Sequence, residues 1–133
     1  PGTSRQLSEG NDLAILTIGK PGVFAQRAVK KLLREGVSAA HYDMRFVKPL
    51  DDKTLHHIFG TYSKIITIED GSVVGGFGSA VTEFKSCHNY TAQVRIMGIP
   101  DRFIEHGSLE QLYKECGFDA ESIVREALLL AGR

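Results

Sequence analysis

The sequence is poor in the residues that mark several classes of protein. It contains no tryptophan, four prolines and two cysteines, Cys87 and Cys116. The cysteines are far apart and form no CxxC pair. They are therefore typical of reduced thiols in a cytoplasmic protein rather than of the disulfide framework of a secreted one.

An excess of one charge and long apolar runs are missing as well. Sixteen Lys and Arg residues balance sixteen Asp and Glu residues, so the formal net charge is zero. Nucleic-acid-binding and anionic-membrane-binding chains usually carry a basic excess, and we expect neither partner. No apolar run approaches the roughly 18 residues that cross a membrane, so we also expect no membrane-spanning segment.

Length and composition fit one globular domain. The chain has 133 residues, of which 42% are hydrophobic and 24% charged, values typical of ordinary folded domains. We expect residues 1–11 to form a linker with a short edge strand at residues 4–8, and residues 12–133 to form the domain. Because the chain begins with Pro1 rather than Met, we expect a piece of a larger protein.

Segments with the periodicity of strands alternate with segments of helical spacing. Strands are predicted at residues 13–18, 37–42, 64–68 and 92–97, the last at a sheet edge because polar and apolar residues alternate there. Helices are predicted at residues 23–35, 52–59, from 78 onward, 109–116 and 120–131. Asp51, Ser108 and Asp119 are the predicted N-caps. This order predicts an α/β fold in three layers, with a mostly parallel sheet between two layers of helices.

Most of the unusual residues follow the predicted strands, where ligand sites gather in open parallel sheets. Arg45 and Lys48 could bind a phosphate or a carboxylate, or Arg45 could pair with Glu69 or Asp43. His106 lies beside a glutamate and could act as a general acid or base, or simply form a structural hydrogen bond.

The segment at residues 69–78 is rich in glycine but matches neither a dinucleotide fingerprint nor a phosphate-binding loop. Its glycines could expose N–H groups to an anion at a helix start, or permit close packing against another domain or subunit. We expect an exposed apolar patch here that includes Val73, Val74 and Phe77. The remaining histidines lack the spacing of metal ligands, and His41, within a strand, is expected to be a packing residue.

Three motifs become specific when they are taken together. They are DMRFVKPLD at residues 43–51, TIEDG at 67–71 with GGFGSAV at 75–81, and GIPDRFIEHG at 98–107. In order and spacing they closely resemble the C-terminal domain of the 1-deoxy-D-xylulose-5-phosphate synthases, a family of transketolase-like thiamine-diphosphate enzymes. The resemblance extends over residues 8–129, and one departure is Gly71, where many relatives carry a polar residue.

The resemblance implies a transketolase C-terminal domain-like fold, a five-stranded mixed sheet of order 1-3-2-4-5 whose first strand is antiparallel. It also implies a parent enzyme that condenses pyruvate with glyceraldehyde 3-phosphate and releases carbon dioxide, using thiamine diphosphate and magnesium. Such enzymes are cytosolic or plastid homodimers of three-domain chains. Their product feeds isoprenoid, thiamine and pyridoxal synthesis.

The family's diphosphate–metal motif and its cofactor-activating glutamate have no counterpart in this sequence. We therefore expect no catalytic, cofactor-binding or metal-binding residue in this chain, and no activity from it alone. The resemblance implies that it packs against other domains of its parent and against a homodimer partner. Candidate interface residues are Arg45, Lys48, Glu69, Gly75, Gly76, Gly78 and His106. The alternative is a regulatory domain that binds a small anion at helix starts near Gly78 and Ser108.

Overall fold

The computed structural model describes residues 4–44, 50–70, 76–99 and 109–133. The strands in this part of the chain are β1 (Arg5–Ser8), β2 (Leu13–Thr17), β3 (Ala39–Asp43), β4 (Lys64–Asp70) and β5 (Gln93–Ile99). The helices are α1 (Gly22–Arg34), α2 (Asp52–Thr61), α3 (Gly76–Cys87) and α4 (Leu109–Leu130).

The strands form one sheet in the order β1-β3-β2-β4-β5. β1 pairs antiparallel with β3, whereas the β2–β3, β2–β4 and β4–β5 pairs are parallel. The predicted strand order, the antiparallel first strand and the edge position of β5 are confirmed. The helices that connect the parallel strands run opposite to them, so their N-termini lie at the carboxyl edge of the sheet.

Side chains of successive strand residues enter two separate cores. On β2, which is buried throughout, Leu13 and Ile15 face one core, whereas Ala14 and Leu16 face the other. The first core also contains buried residues of α1 and α4, and the second contains buried residues of α2 and α3. Helices therefore cover both faces of the sheet, and the predicted three-layer α/β fold is confirmed.

The predicted break before the last helix is wrong. α4 runs without interruption over 22 residues, so Asp119 lies inside a helix instead of capping one and is 3% exposed. A glycine in a helix interior costs only about 1 kcal/mol relative to alanine, so Gly117 is a weak stop signal. The residues that follow, including Ala120 and Ile123, are buried in the core shared with α1, which favours continuation of the helix.

The expected apolar patch is wrong at Phe77. This side chain is 1% exposed and belongs to the core shared by α2 and α3. Val73 and Val74 lie outside the described residues. The residues that bury it, such as Leu55 of α2, are distant in sequence, and the sequence alone did not distinguish an inward from an outward orientation.

The N-cap predicted for α2 is confirmed and has a second role. The Asp51 carboxylate accepts a hydrogen bond from the Thr54 N–H at 3.2 Å and others from the N–H and hydroxyl of Ser4 at 3.0 and 2.8 Å. Burial raises the pKa of the Asp51 carboxyl, but these hydrogen bonds outweigh burial and lower the pKa to about 2. Through these bonds to Ser4, Asp51 also anchors the residue before β1 to the start of α2.

None of the helices in the described ranges has the length and apolar character needed to cross a membrane.

Candidate functional site

The carboxyl edge of the sheet is the candidate functional site, and three predicted site residues lie there in the described structure. Glu69 is near the end of β4, and Gly76 and Gly78 belong to the first turn of α3. The other four candidates lie outside the described residues: Arg45, Lys48, Gly75 and His106. The structure therefore brings together the end of β4 and the start of α3.

Glu69 caps α3 from within the domain. Its side chain is completely buried. One carboxylate oxygen accepts a hydrogen bond from the Phe77 N–H and the other accepts one from the Gly78 N–H, both at 3.1 Å. A carboxylate here satisfies N–H groups that the helix leaves unpaired and interacts favourably with its positive end.

This arrangement bears on the alternative of an anion bound near Gly78. Two N–H groups that could hold such an anion are already bound to Glu69. Ser108, the second helix start in that alternative, lies outside the described residues. The sequence identified Glu69 as a site residue, but gave no signal that its partners are backbone N–H groups eight and nine residues further along the chain.

The two glycines of α3 have different surroundings. Gly76 is exposed, and a β-carbon added there would lie 3.9 Å from Glu69 Oε2, an ordinary contact. Gly78 is buried, and an added β-carbon would lie 2.6 Å from Ile96 Cγ2 and 2.8 Å from Ile96 Cγ1. The absence of a side chain at Gly78 thus lets α3 pack closely against β5 within the domain.

Replacing Gly78 with alanine should destabilise the fold by about 1–3 kcal/mol, the usual cost of adding a methyl group to a well-packed site. The clash involves both γ-carbons of Ile96, so either the χ1 torsion of this β-branched side chain or the strand itself must shift. Chemical denaturation of the single and double variants would measure the coupling. In an Ile96→Ala background the same change should cost much less, and Gly76→Ala is the matched control. Equal costs in both backgrounds would contradict the proposed contact.

Thr17, the last residue of β2, and His41, in the middle of β3, form a second polar contact. Both are completely buried, and His41 Nε2 lies 2.8 Å from Thr17 Oγ1. Burial lowers the pKa of His41 to about 4, although the negative charge of Asp43 opposes this change. The imidazole is therefore neutral at physiological pH. Because neither side chain is accessible, we interpret the contact as structural; the sequence predicted packing for His41 but not its bond to Thr17.

Acidification should destabilise the chain through His41. In the unfolded chain the pKa returns to about 6.5, so the unfolded state binds a proton more readily than the folded state, whose pKa is about 4. This contribution to stability is complete above about pH 6.5 and falls as the pH approaches 4, by about 2 kcal/mol between about pH 7.5 and pH 5. Urea denaturation at both pH values measures the loss.

His57 provides the matched control because it is exposed on α2. We expect the acid-induced loss to be smaller by about 2 kcal/mol in His41→Gln than in His57→Gln. If both variants lost stability equally, His41 would not be the group responsible.

The described residues do not form a centre for metal or diphosphate binding. No group of three or more His, Cys, Asp or Glu side chains in the described ranges could hold a metal ion. The sequence did not link His56 to His88, but their rings lie in contact, with centroids 4.5 Å apart. No third side chain in the described ranges joins them as a possible metal ligand. Since Glu69 already binds two N–H groups of α3, these residues do not fit a diphosphate with its metal.

Comparison with known proteins gives a consistent set of similarities. The family model described as "Transketolase, C-terminal domain" matches residues 2–123. Three curated relatives carry the name 1-deoxy-D-xylulose-5-phosphate synthase. The protein from Cytophaga hutchinsonii is 53% identical over 98% of this chain, that from Parabacteroides distasonis 49% over 94%, and that from Aquifex aeolicus 46% over 96%. The matched regions are 21%, 20% and 21% of those proteins, so the chain spans about a fifth of its relatives' length.

A solved structure supports the same fold. The protein described as "Split gene transketolase, inactive beta4 tetramer" aligns with a TM-score of 0.74 and 34% sequence identity. The alignment covers 98% of this chain and 43% of that protein.

Proposed function

Because this chain belongs to the family of transketolase C-terminal domains, we propose that it is the C-terminal domain of a 1-deoxy-D-xylulose-5-phosphate synthase. The observation that carries the proposal is the 53% identity to the Cytophaga hutchinsonii synthase, which extends over 98% of this chain. The motifs at residues 43–51, 67–81 and 98–107 support the same assignment.

The parent enzyme of this proposal condenses pyruvate with glyceraldehyde 3-phosphate and releases carbon dioxide, and its product supplies isoprenoid, thiamine and pyridoxal synthesis. Thiamine diphosphate, with magnesium, supplies the carbanion chemistry. We place both in other domains of the parent, because the described residues here do not fit a diphosphate and its metal. We also propose that the parent enzyme is located in the cytoplasm.

The proposed role of the domain is assembly. Its carboxyl edge would contact other domains of the parent and help to build a homodimer, with Arg45, Lys48, Glu69, Gly75, Gly76, Gly78 and His106 as interface candidates. Glu69 supports this role indirectly, because its carboxylate holds the start of α3 from inside and leaves the exposed backbone at Gly76 for an outside partner. Gly78 would act by allowing α3 to lie close to β5.

The activity is tested on the full-length protein that carries this chain. Purified enzyme supplied with pyruvate, glyceraldehyde 3-phosphate, thiamine diphosphate and magnesium should release carbon dioxide and form 1-deoxy-D-xylulose 5-phosphate, identified by mass spectrometry. Ribose 5-phosphate with xylulose 5-phosphate is the control substrate pair for transketolase activity. Turnover of the control pair without synthase product would overturn the synthase assignment while leaving the family intact.

The assembly role is tested by calorimetry. Thiamine diphosphate with magnesium should give saturable heat with the full-length protein and none with the 133-residue chain alone. Micromolar binding by the chain alone would contradict an assembly domain, because it would place cofactor-binding groups among these residues.

A further inference from the structure

A groove of about 590 Å³ lies between the C-terminal parts of α1 and α4. It is lined by Lys31, Arg34, Glu35, Glu121, Val124, Arg125, Leu128, Leu129 and Arg133. Because α1 runs opposite to the parallel strands, its C-terminus lies at the amino edge of the sheet. The groove is therefore separate from the candidate site at the carboxyl edge, and its volume is in the usual range for small-molecule sites.

Positive charge dominates the lining of the groove. It has four cationic side chains and two carboxylates, and Lys31 pairs with Glu121 at 3.5 Å. Arg125 donates to the Ser122 hydroxyl rather than to a carboxylate, and Arg133 donates to the carbonyl oxygens of Glu35 and Gly36. Arg34 has no hydrogen bond or ion pair with the described residues. Three guanidinium groups therefore face a single unpaired carboxylate, that of Glu35.

The apolar part of the lining comes from α4, which also contributes Glu121 and Arg125. Val124 and Leu128 are partly buried and pack against the core between α1 and α4. Leu129 is 58% exposed, so most of its side chain is open to a molecule in the groove. An apolar wall next to unpaired guanidinium groups matches a molecule that has an anionic head and a short apolar body.

We propose that this groove binds a small amphipathic anion, with its carboxylate or phosphate on Arg34 and Arg125 and its apolar part on Leu128 and Leu129. Guanidinium groups bind either head group through paired hydrogen bonds. A purely polar anion would leave the leucines in water, and a neutral apolar molecule would gain nothing from the guanidinium groups. Affinity therefore requires both parts of the ligand.

The test uses hexanoate, hexyl phosphate and the neutral hexan-1-ol as probes, titrated by calorimetry into the full-length protein that carries this chain. At least one anion should bind saturably and about tenfold more tightly than the alcohol, and its affinity should fall in about 0.3 M salt. The anion that binds more tightly shows whether the groove prefers a carboxylate or a phosphate head group. Absence of saturable binding by both anions, or equal affinity for the alcohol, would overturn the proposal.

Matched variants locate the binding within the molecule. Leu129→Ser should weaken binding about fivefold or more, whereas Leu33→Ser, at a leucine that is 67% exposed outside the groove, should not. Arg34→Gln combined with Arg125→Gln should weaken binding by a similar factor, and Arg27→Gln on the same helix should leave it unchanged. Equal effects of the variants and their controls would mean non-specific association and would also overturn the proposal.

Discussion

Replacing Gly10 with alanine should destabilise the chain by about 3 kcal/mol or more. An added β-carbon would lie 2.2 Å from the Ala39 carbonyl carbon and 2.4 Å from the Ala40 nitrogen. Both atoms belong to the backbone at the start of β3, so no side-chain rotation can relieve the clash. The Tyr62 hydroxyl donates a hydrogen bond of 2.6 Å to the Gly10 carbonyl oxygen and fixes the segment further. The variant must therefore displace the segment that joins β1 to β2.

Gly60 provides the control for this prediction. It lies within α2, and a β-carbon added there would meet no atom within 4 Å. Gly60→Ala should therefore stabilise the chain by up to about 1 kcal/mol, through the better helix propensity of alanine. Thermal and urea denaturation of both variants measure the difference. Similar stabilities for Gly10→Ala and Gly60→Ala would mean that Gly10 lies further from the backbone of Ala39 than the structure shows.

The part of the fold that follows from sequence depends on side-chain periodicity. The run Leu13-Ala-Ile-Leu-Thr-Ile18 has few polar residues, and the structure buries every residue of β2. The alternation that predicted an edge strand corresponds to β5, where Arg95 contacts Glu126 on one face and Ile96 contacts the start of α3 on the other. β1 is short and half-exposed, so periodicity barely supports it, and the resemblance to a known family supplied its place in the sheet.

The errors have a common physical origin, since they concern residues whose environment is set by distant parts of the chain. Asp119 and Gly117 carry local signals for a helix boundary, but burial of the next turns against α1 outweighs them. The expectation for Phe77 depends on its place at the strand-end surface, which partner domains of the parent would cover, yet α2 and β4 provide a core for it.

The same limit applies to the candidate site. The sequence indicated that polar residues gather at the carboxyl edge of the sheet, which is where Glu69 and the start of α3 lie. It did not indicate that Glu69 would bind backbone N–H groups. Nor did it link Thr17 to His41, because such a bond depends on the parallel register of β2 and β3.

Replacing Glu69 with alanine should destabilise the chain by about 2–4 kcal/mol. The change leaves the buried N–H groups of Phe77 and Gly78 without their acceptors, and each such group costs about 1–3 kcal/mol when unpaired. Glu69→Gln should cost less, because one oxygen remains to accept a hydrogen bond while the amide NH₂ faces the other donor. Urea denaturation gives the stabilities, and hydrogen exchange of the Phe77 and Gly78 amides should accelerate in the alanine variant.

Asp51 provides a comparison for Glu69, because it also caps a helix but is more exposed. It caps α2 and also accepts hydrogen bonds from Ser4, but it is only half-buried, so Asp51→Ala should cost about 1–2 kcal/mol, the upper part of the usual range for an N-cap. We expect Glu69→Ala to be clearly the more costly change. If the two costs were equal, the hydrogen bonds from α3 would contribute little to folding. The burial of the Glu69 carboxylate at this edge would then need another explanation, such as a contact that Glu69 makes in the assembled parent enzyme.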